Sequence, residues 1–479
     1  MNKSIWETNK SEVRTTKKNI ETDVLIIGGG ITGMTTALNL LNSDYEVTLI
    51  EANKIGGIVT KKTTGKISIM QGYNYQEIEK NINLSASLKY LESQIYAVKL
   101  IKDLIRKYKI KCDIQKNSSY LFTNEQTNIK KIIKEKDILE KGNIKCDTIN
   151  NLPNKYPCLY GIKTDSYVFN PLKYINEIRN ICNDKINMYE NMRALQITKK
   201  LDYYLVRTNK NKIKAKKIII CTHYPIFVGQ LGIPFRTTIE KEYILNAKVD
   251  KVYKANMLCA DDELISIRYY FGDDKYIIYA SDKSLLCNKL NHKENINSLI
   301  KRFRLHFNYP IKYTWYNYDI KSNDYLPIIG KVKDENILIA TAYNKWGMTN
   351  GVLASKIIAD MISGMENEFT SLFDPYRKTN IKKMVNSCMY IYDNLKAYLK
   401  AYSKQKRIRY VTENGVEYAI YTDEKNKEHK VVNMCPHMKC KLIFNEFDKT
   451  WDCPCHGSRY NIDGKVIKGP SNYSIIKKD

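Results

Sequence analysis

A chain of 479 residues exceeds one ordinary domain, so two or three units are expected. Hydrophobic residues make up 43% of it, enough to bury a sizeable core and too much for bulk disorder. The formal net charge of +27 would suit a nucleic-acid or anionic-membrane partner. The basic residues are scattered rather than blocked, however, and no nucleic-acid module is present, so a solvated basic surface is expected.

No run reaches the roughly 18 apolar residues that a membrane span needs. The polar stretch up to Thr22 lacks the apolar centre of a signal peptide. Residues 1–22 are therefore expected to be a flexible lead-in, with the cytoplasm as default location. Of the 12 cysteines, eight (Cys112, Cys146, Cys158, Cys182, Cys221, Cys259, Cys287 and Cys388) are dispersed and read as reduced core thiols. The other four crowd into 435–455, which points to metal.

In chain order, Asp23–Ile27 is a short apolar run that predicts a buried parallel strand. GGGITG follows at 28–33, then a helix with one apolar face, and Glu46–Ile50 closes a βαβ unit. Leu88, Leu91, Ile95, Val98, Ile101 and Ile105 predict a helix over 85–108. Further strands are expected at Lys217–Cys221, near 264–280 and at Asn336–Ala340, with a helix at about 351–363. From Ile381 through Met384, Cys388, Ile391, Leu395, Leu399 and Tyr402 an apolar stripe at helical spacing predicts a connecting helix. Short strands and turns then run to the end, as in a small β domain.

Two motifs carry chemistry. In the first, Cys435-x-His437 and Cys453-x-x-His456 each supply one thiolate and one imidazole. Such a set can hold a [2Fe–2S] cluster with two Cys on one iron and two His on the other, or a zinc ion. In the second, Gly28-x-Gly30-x-x-Gly33 follows a buried strand and opens a helix. Its glycines permit a tight turn and close approach to a pyrophosphate at the positive helix end. Glu51 ends the next strand, placed to accept hydrogen bonds from a ribose diol.

The stretch Trp451–Pro470 (WDCPCHGSRYNIDGKVIKGP) resembles the second cluster loop of the Rieske superfamily. That resemblance implies a disulfide between Cys440 and Cys455, and the second cysteine pair argues against zinc. Lys439 stands where the first loop of that superfamily has Gly. Residues 23–375 resemble the glycine oxidase, sarcosine oxidase and D-amino-acid oxidase-like family of FAD-dependent oxidoreductases. The resemblance is carried by Lys61–Ser68 (KKTTGKIS), Lys217–Pro225 (KIIICTHYP), Asp324–Gly364 and Phe373–Arg377 (FDPYR). It implies an α/β Rossmann-like FAD domain of the glutathione-reductase type, with a mixed-sheet substrate region, over 23–375. A connecting helix at 376–405 and an all-β Rieske domain at 406–479 complete the expected architecture.

The same resemblance implies FAD contacts from Thr64, Gly65, Lys66, Thr222, Gly330, Trp346, Gly347 and Met348, beside Gly28, Gly30, Gly33 and Glu51. No cysteine lies near Asp324–Gly330, so the flavin is expected to be non-covalent. Candidate catalytic residues are Arg268, as a clamp for a substrate carboxylate, with Tyr343, Lys345 and Tyr270 near the cavity. Relatives in the matching subgroup carry a Gly-Glu-His turn where this chain has Ala280–Ser284 (ASDKS). Beyond the cluster only His223, His292, His306 and His429 remain, none paired at ligand spacing, which removes the mononuclear iron of a ring-hydroxylating oxygenase. The expected function is oxidation of a small amine or amino acid, with electrons relayed from FAD through the cluster to a protein or quinone-like acceptor. The alternative is an electron-transfer or redox-sensing protein serving a protein partner.

Overall fold

The apolar run that opens the chain's first motif becomes the centre of a sheet. In the computed structural model, which describes residues 4–6, 15–261, 265–272, 274–285, 292–333, 336–378, 389, 396 and 407–476, strand Ile20–Ile27 pairs in parallel with Lys212–Ile220 on one side and Val47–Ile50 on the other. Val24 and Ile26 enter one hydrophobic core and Leu25 and Ile27 another. A strand covered on both faces has no polar side to present, which is why it reads as an unbroken apolar run. Ile337–Thr341 extends the parallel set, and Ile328–Lys331 caps it antiparallel. Helix Ile31–Asn39 and helix Gly347–Ile362 cover the same face.

A nine-stranded mixed sheet forms the second layer, with the order Ile311–Ser322, Thr237–Lys248, Lys275–Leu285, Ile265–Phe271, Ala255–Cys259, Gln115–Thr123, Tyr160–Val168 and Lys66–Ser68. Asp147–Ile149 adds at the side of Tyr160–Val168. Helix Leu84–Lys107 starts on the side chain of Asn83, which accepts the amide of Ala86. The helix predicted from 351 starts a turn earlier, at Gly347. Ala342, Asn344 and Lys345 all take left-handed backbone angles (φ 60°, 50° and 72°), so the chain reverses tightly after its strand and re-enters the core within a few residues. Strain of this kind persists only where surrounding structure enforces it, and it concentrates at functional sites.

Residues 407–476 form the expected small β unit, with a three-stranded and a four-stranded antiparallel sheet. Its core is aromatic: Phe444 stacks on Tyr421 with ring centroids 4.0 Å apart and meets Trp451 edge-on at 4.8 Å. Of the connecting helix predicted over 376–405, residues 376–378 are not helical, and the rest falls outside the described residues, 389 and 396 excepted. The lead-in expected over 1–22 differs at two points: residues 20–22 already belong to the first strand, paired with 213–215, and Trp6 is anchored. Trp6 is buried, donates its indole N–H to the Thr63 carbonyl at 2.7 Å and meets Tyr270 edge-on at 5.1 Å. A large ring with its one polar group satisfied gains more from burial than from solvent. Among the described residues, no helix is long and apolar enough to cross a membrane.

Candidate functional site: two cavities and a cluster tip

The glycine turn is built as its motif requires. Gly28 has φ +115°, and a Cβ there would lie 2.4 Å from the Cys221 carbonyl oxygen. A Cβ on Gly33 would lie 1.9 Å from the Gly28 carbonyl oxygen, so that position admits only glycine. The result is a bare backbone cradle at the start of helix Ile31–Asn39, where unpaired N–H groups and the helix dipole favour an anion. Thr60 supports it by accepting the Ile31 amide at 3.2 Å. Glu51 accepts the amides of Gly29 and Asn53, both at 2.8 Å. Burial pushes its carboxyl up while those two amides oppose the shift. Its two oxygens retain lone pairs toward the cavity that it lines.

That cavity, with an empty volume of about 850 Å³, is lined by Gly28, Gly30, Glu51, Thr60, Thr222 and Tyr224 among others. A second, of about 1370 Å³, is lined by Thr64, Lys66, Tyr343, Trp346, Gly347 and Met348. Val59 and His223 belong to both walls, so the two cavities adjoin. A dinucleotide needs this shape: a phosphate-binding half joined to a broader half for a ring system and its substrate.

The second cavity carries charges of both signs. Glu240 is clamped by Lys345 at 2.7 Å and Lys321 at 3.3 Å. Burial would raise its carboxyl, but the two ammonium groups hold it down at about 2. Lys66 donates to Ser266 Oγ at 2.6 Å and is drawn down to about 7 by burial. Glu242, also on the wall, is pushed up by burial. Tyr343 shares a hydrogen bond with Thr32 at 2.8 Å, and burial pushes its phenol well up.

Four expected residues sit elsewhere. The Arg268 guanidinium donates to the carbonyls of Thr64 and, at 3.1 Å, Phe169, and it lies 5.2 Å from the Trp6 ring. It is spent on fixing the backbone behind Gly65 and is not part of the cavity wall, which departs from its reading as a carboxylate clamp. Gly330 faces Pro375 rather than either cavity, since a Cβ there would lie 2.8 Å from the proline ring. Gly65 likewise turns toward Arg268 and Phe169, leaving Thr64 and Lys66 to line the cavity. Tyr270 hydrogen-bonds Asp113 at 3.0 Å outside the wall. Sequence reasoning missed Thr60, His223 and the acid–lysine set at 240–242 and 321. No local pattern in the sequence marks them.

The C-terminal tip brings its four expected ligands together. The two loops, each a tight turn, are tied by hydrogen bonds from Lys439 N to Cys435 O at 2.9 Å and from Gly457 N to Cys453 O at 3.1 Å. Cys440 and Cys455 form a disulfide that links the loops. Disulfide sulfurs are not thiolates, so although they lie within 4.8 Å of the Cys453 sulfur they add no ligand. Cys435 and Cys453 are free and buried. Hydrogen bonding between them draws Cys435 down to about 6 and pushes Cys453 up, as expected of two thiols sharing a proton that a metal would displace. Tyr460 Oη lies 3.2 Å from the Cys435 sulfur.

The imidazoles of His437 and His456 stand 5.0 Å apart and nearly perpendicular. Both ring nitrogens of His456 are buried without a hydrogen-bond partner. Buried polar atoms are seldom left so, and metal ligation on one of them is a sufficient explanation. Burial holds both imidazoles toward the neutral, metal-binding form, His456 down to about 4. Lys439, where glycine was expected, takes φ +60°. The loop therefore keeps a glycine-like turn with a side chain added.

The tip faces the first unit. The Tyr224 ring lies 5.5 Å from His456 and 6.3 Å from His437, while Tyr224 also lines the dinucleotide cavity. His456 is buried at this contact, whereas His437 is exposed on the rim of an apolar groove with Pro225, Phe227, Phe235 and Met438.

Comparisons with known proteins match two family models. The family model described as FAD dependent oxidoreductase matches residues 23–361, and the model for the Rieske [2Fe-2S] domain matches 396–477. The chain is 29% identical over 485 residues to YhfW of Bacillus subtilis, which carries the name of a Rieske 2Fe-2S iron-sulfur protein, covering 95% of this chain and 93% of that one. It is 21% identical to gamma-glutamylputrescine oxidoreductase of Escherichia coli, over 74% of this chain and 87% of that one. Among solved structures, L-amino acid deaminase from Proteus vulgaris is similar with a TM-score of 0.63 at 17% identity, covering 77% of this chain and 97% of that one. Glycine oxidase from Geobacillus kaustophilus gives 0.60 at 12%, covering 75% and 100%.

Proposed function

This chain belongs to the FAD-dependent oxidoreductase family and carries a Rieske [2Fe–2S] domain, and from that premise we propose that it oxidises a small amine or amino acid and passes the electrons through the cluster to an external acceptor. The observation that carries the proposal is Tyr224, whose ring meets the cluster histidine His456 and whose side chain lines the dinucleotide cavity. Bound FAD supplies hydride acceptance and the bound cluster supplies uptake of one electron at a time.

The chain's own residues prepare the substrate. The second cavity holds a mixed-charge wall, suited to a molecule bearing an amine and a carboxylate. Lys345 and Lys321 flank Glu240 and offer positive charge, while Glu242 and Asp319 offer negative charge. An amine must lose its ammonium proton before its neighbouring C–H bond can be oxidised. Lys66 Nζ, lowered to about 7 by burial and fixed by Ser266, is the group placed to take that proton. The substrate then gives up a hydride equivalent and becomes an imine, and two one-electron transfers to the acceptor balance the loss. Were a cluster held by these loops, the buried His456 would face the dinucleotide cavity through Tyr224 and the exposed His437 would face an external acceptor.

Anaerobic addition of candidate amines and amino acids to the holoprotein tests the proposal by visible spectroscopy. Bleaching of the flavin band followed by the cluster band is expected with one substrate class. A protein that serves only a partner protein predicts no bleaching with any small molecule, but rapid reduction by a reduced ferredoxin or dithiol protein.

A further inference from the structure

The dinucleotide cavity is not made by the FAD unit alone. Ile467, Lys468, Gly469 and Asn472, all from the Rieske domain, form part of its wall beside Gly28, Gly30 and Thr60. We propose that the Rieske domain completes the FAD site, with the Lys468 ammonium as a counter-charge to the anionic cofactor.

Three independent observations support this. First, the segment is held in place by the FAD unit. Asn53 Nδ2 donates to the Ile467 carbonyl at 3.1 Å, Arg193 reaches the same carbonyl at 3.4 Å, and Arg207 donates to Tyr473 Oη at 2.9 Å. Tyr473 in turn donates to the Leu195 carbonyl at 3.3 Å. Second, the two domains share a packed interface beyond this segment. Phe447 packs against a core of the FAD unit, and Asp448 accepts from Tyr316 and pairs with Arg459 at 2.6 Å.

Third, the negative charge around Lys468 does not balance the positive. Among the described residues it forms no ion pair, and its one close partner is the Tyr318 ring, 4.0 Å from Nζ. Arg459 and Lys62 stand near it, and Arg459 is already paired with Asp448 and Asp452. Burial and these two cations press Lys468 toward its neutral form and outweigh the opposing pull of Asp452 and Asp319. A cation in such surroundings is costly unless an anion joins it. The cavity wall it belongs to includes the glycine cradle, whose amides and helix end select a diphosphate. A diphosphate in the cavity would supply the missing charge.

Full-length protein stripped of FAD and retitrated, followed by quenching of FAD fluorescence, gives the test, with the cluster's EPR signal reporting that the Rieske domain is intact. Lys468→Gln should weaken FAD binding about tenfold, the effect of losing one charge-assisted contact, and Lys468→Arg should restore it. Asn472→Asp, which adds a carboxylate to the same wall with little change of shape, should also weaken binding, more strongly at low salt. Wild-type FAD affinity in both Lys468→Gln and Asn472→Asp, with the EPR signal retained, would overturn the proposal. Should Lys468→Gln lose its EPR signal, Asn472→Asp decides alone: weakened binding sustains the proposal and unchanged binding ends it.

Discussion

The two redox sites of this molecule are built in opposite ways. The C-terminal tip gathers its four candidate ligands, Cys435, His437, Cys453 and His456, from two short loops cross-linked by Cys440–Cys455. The flavin cavities draw their walls from Ile27 to Asn472, across both sheets and both domains. A site made locally can fail without disturbing its surroundings. A site made by the whole fold fails with it. The contrast predicts how each responds to substitution.

The largest effect is expected at the tip. Cys453→Ser removes one thiolate and should abolish the cluster, read as loss of iron and acid-labile sulfide, while FAD stays bound. Loss of FAD in that variant would break the contrast. Next comes Gly33→Val, whose side chain has no room beside the Gly28 carbonyl. It should empty the FAD site and lower the melting temperature of the whole protein. Wild-type flavin content would refute the reading of that turn.

Arg377 tests long-range construction without touching a cavity. It grips Asp324 through two hydrogen bonds, at 2.7 and 2.9 Å, and donates to the carbonyls of Leu326 and Pro327. Burial acts to raise Asp324, but Arg377 prevails and the carboxyl is lowered. Arg377→Met should cost about 3–5 kcal/mol, as expected when one partner of a buried pair is removed, measured by denaturant unfolding. A folded-state carboxyl below its unfolded value stabilises above the unfolded pKa and stops doing so as pH falls through the folded one. The wild-type advantage over Arg377→Met should therefore shrink in acid.

Lys66 sharpens the comparison at the level of chemistry. If its neutral form accepts the substrate proton, kcat/KM should rise with pH through about 7, the value to which burial lowers it. Lys66→Met should abolish that limb, and an unchanged profile would remove Lys66 from the proton path. The smallest effect returns to the tip. Lys439 holds φ +60°, a conformation that costs a non-glycine residue roughly 1 kcal/mol, so Lys439→Gly should stabilise the Rieske domain by about that amount.

The same contrast governs what could be read from sequence. Cys435, His437, Cys453 and His456 are near neighbours along the chain, so their spacing alone announced a metal-binding tip. The glycine turn was legible for the same reason, because Gly28, Gly30 and Gly33 act on one another's backbone. Glu240, Lys321 and Lys345 meet only because distant strands and a strained turn converge, and no local pattern marks them. Arg268 failed as a clamp because a strand residue's facing depends on what lies behind it, here Trp6 and the Thr64 carbonyl. Lys468 was hidden most completely, since its place on the flavin cavity depends on how one domain docks on another.

The proposed electron path from flavin to cluster meets at Tyr224. Stopped-flow spectroscopy under anaerobic conditions, following both bands after substrate is mixed with holoprotein, tests it most directly. Flavin reduction is expected first, then cluster reduction at a rate that falls in Tyr224→Leu while the flavin step is unchanged. A cluster that stays oxidised beside a fully reduced flavin would contradict it.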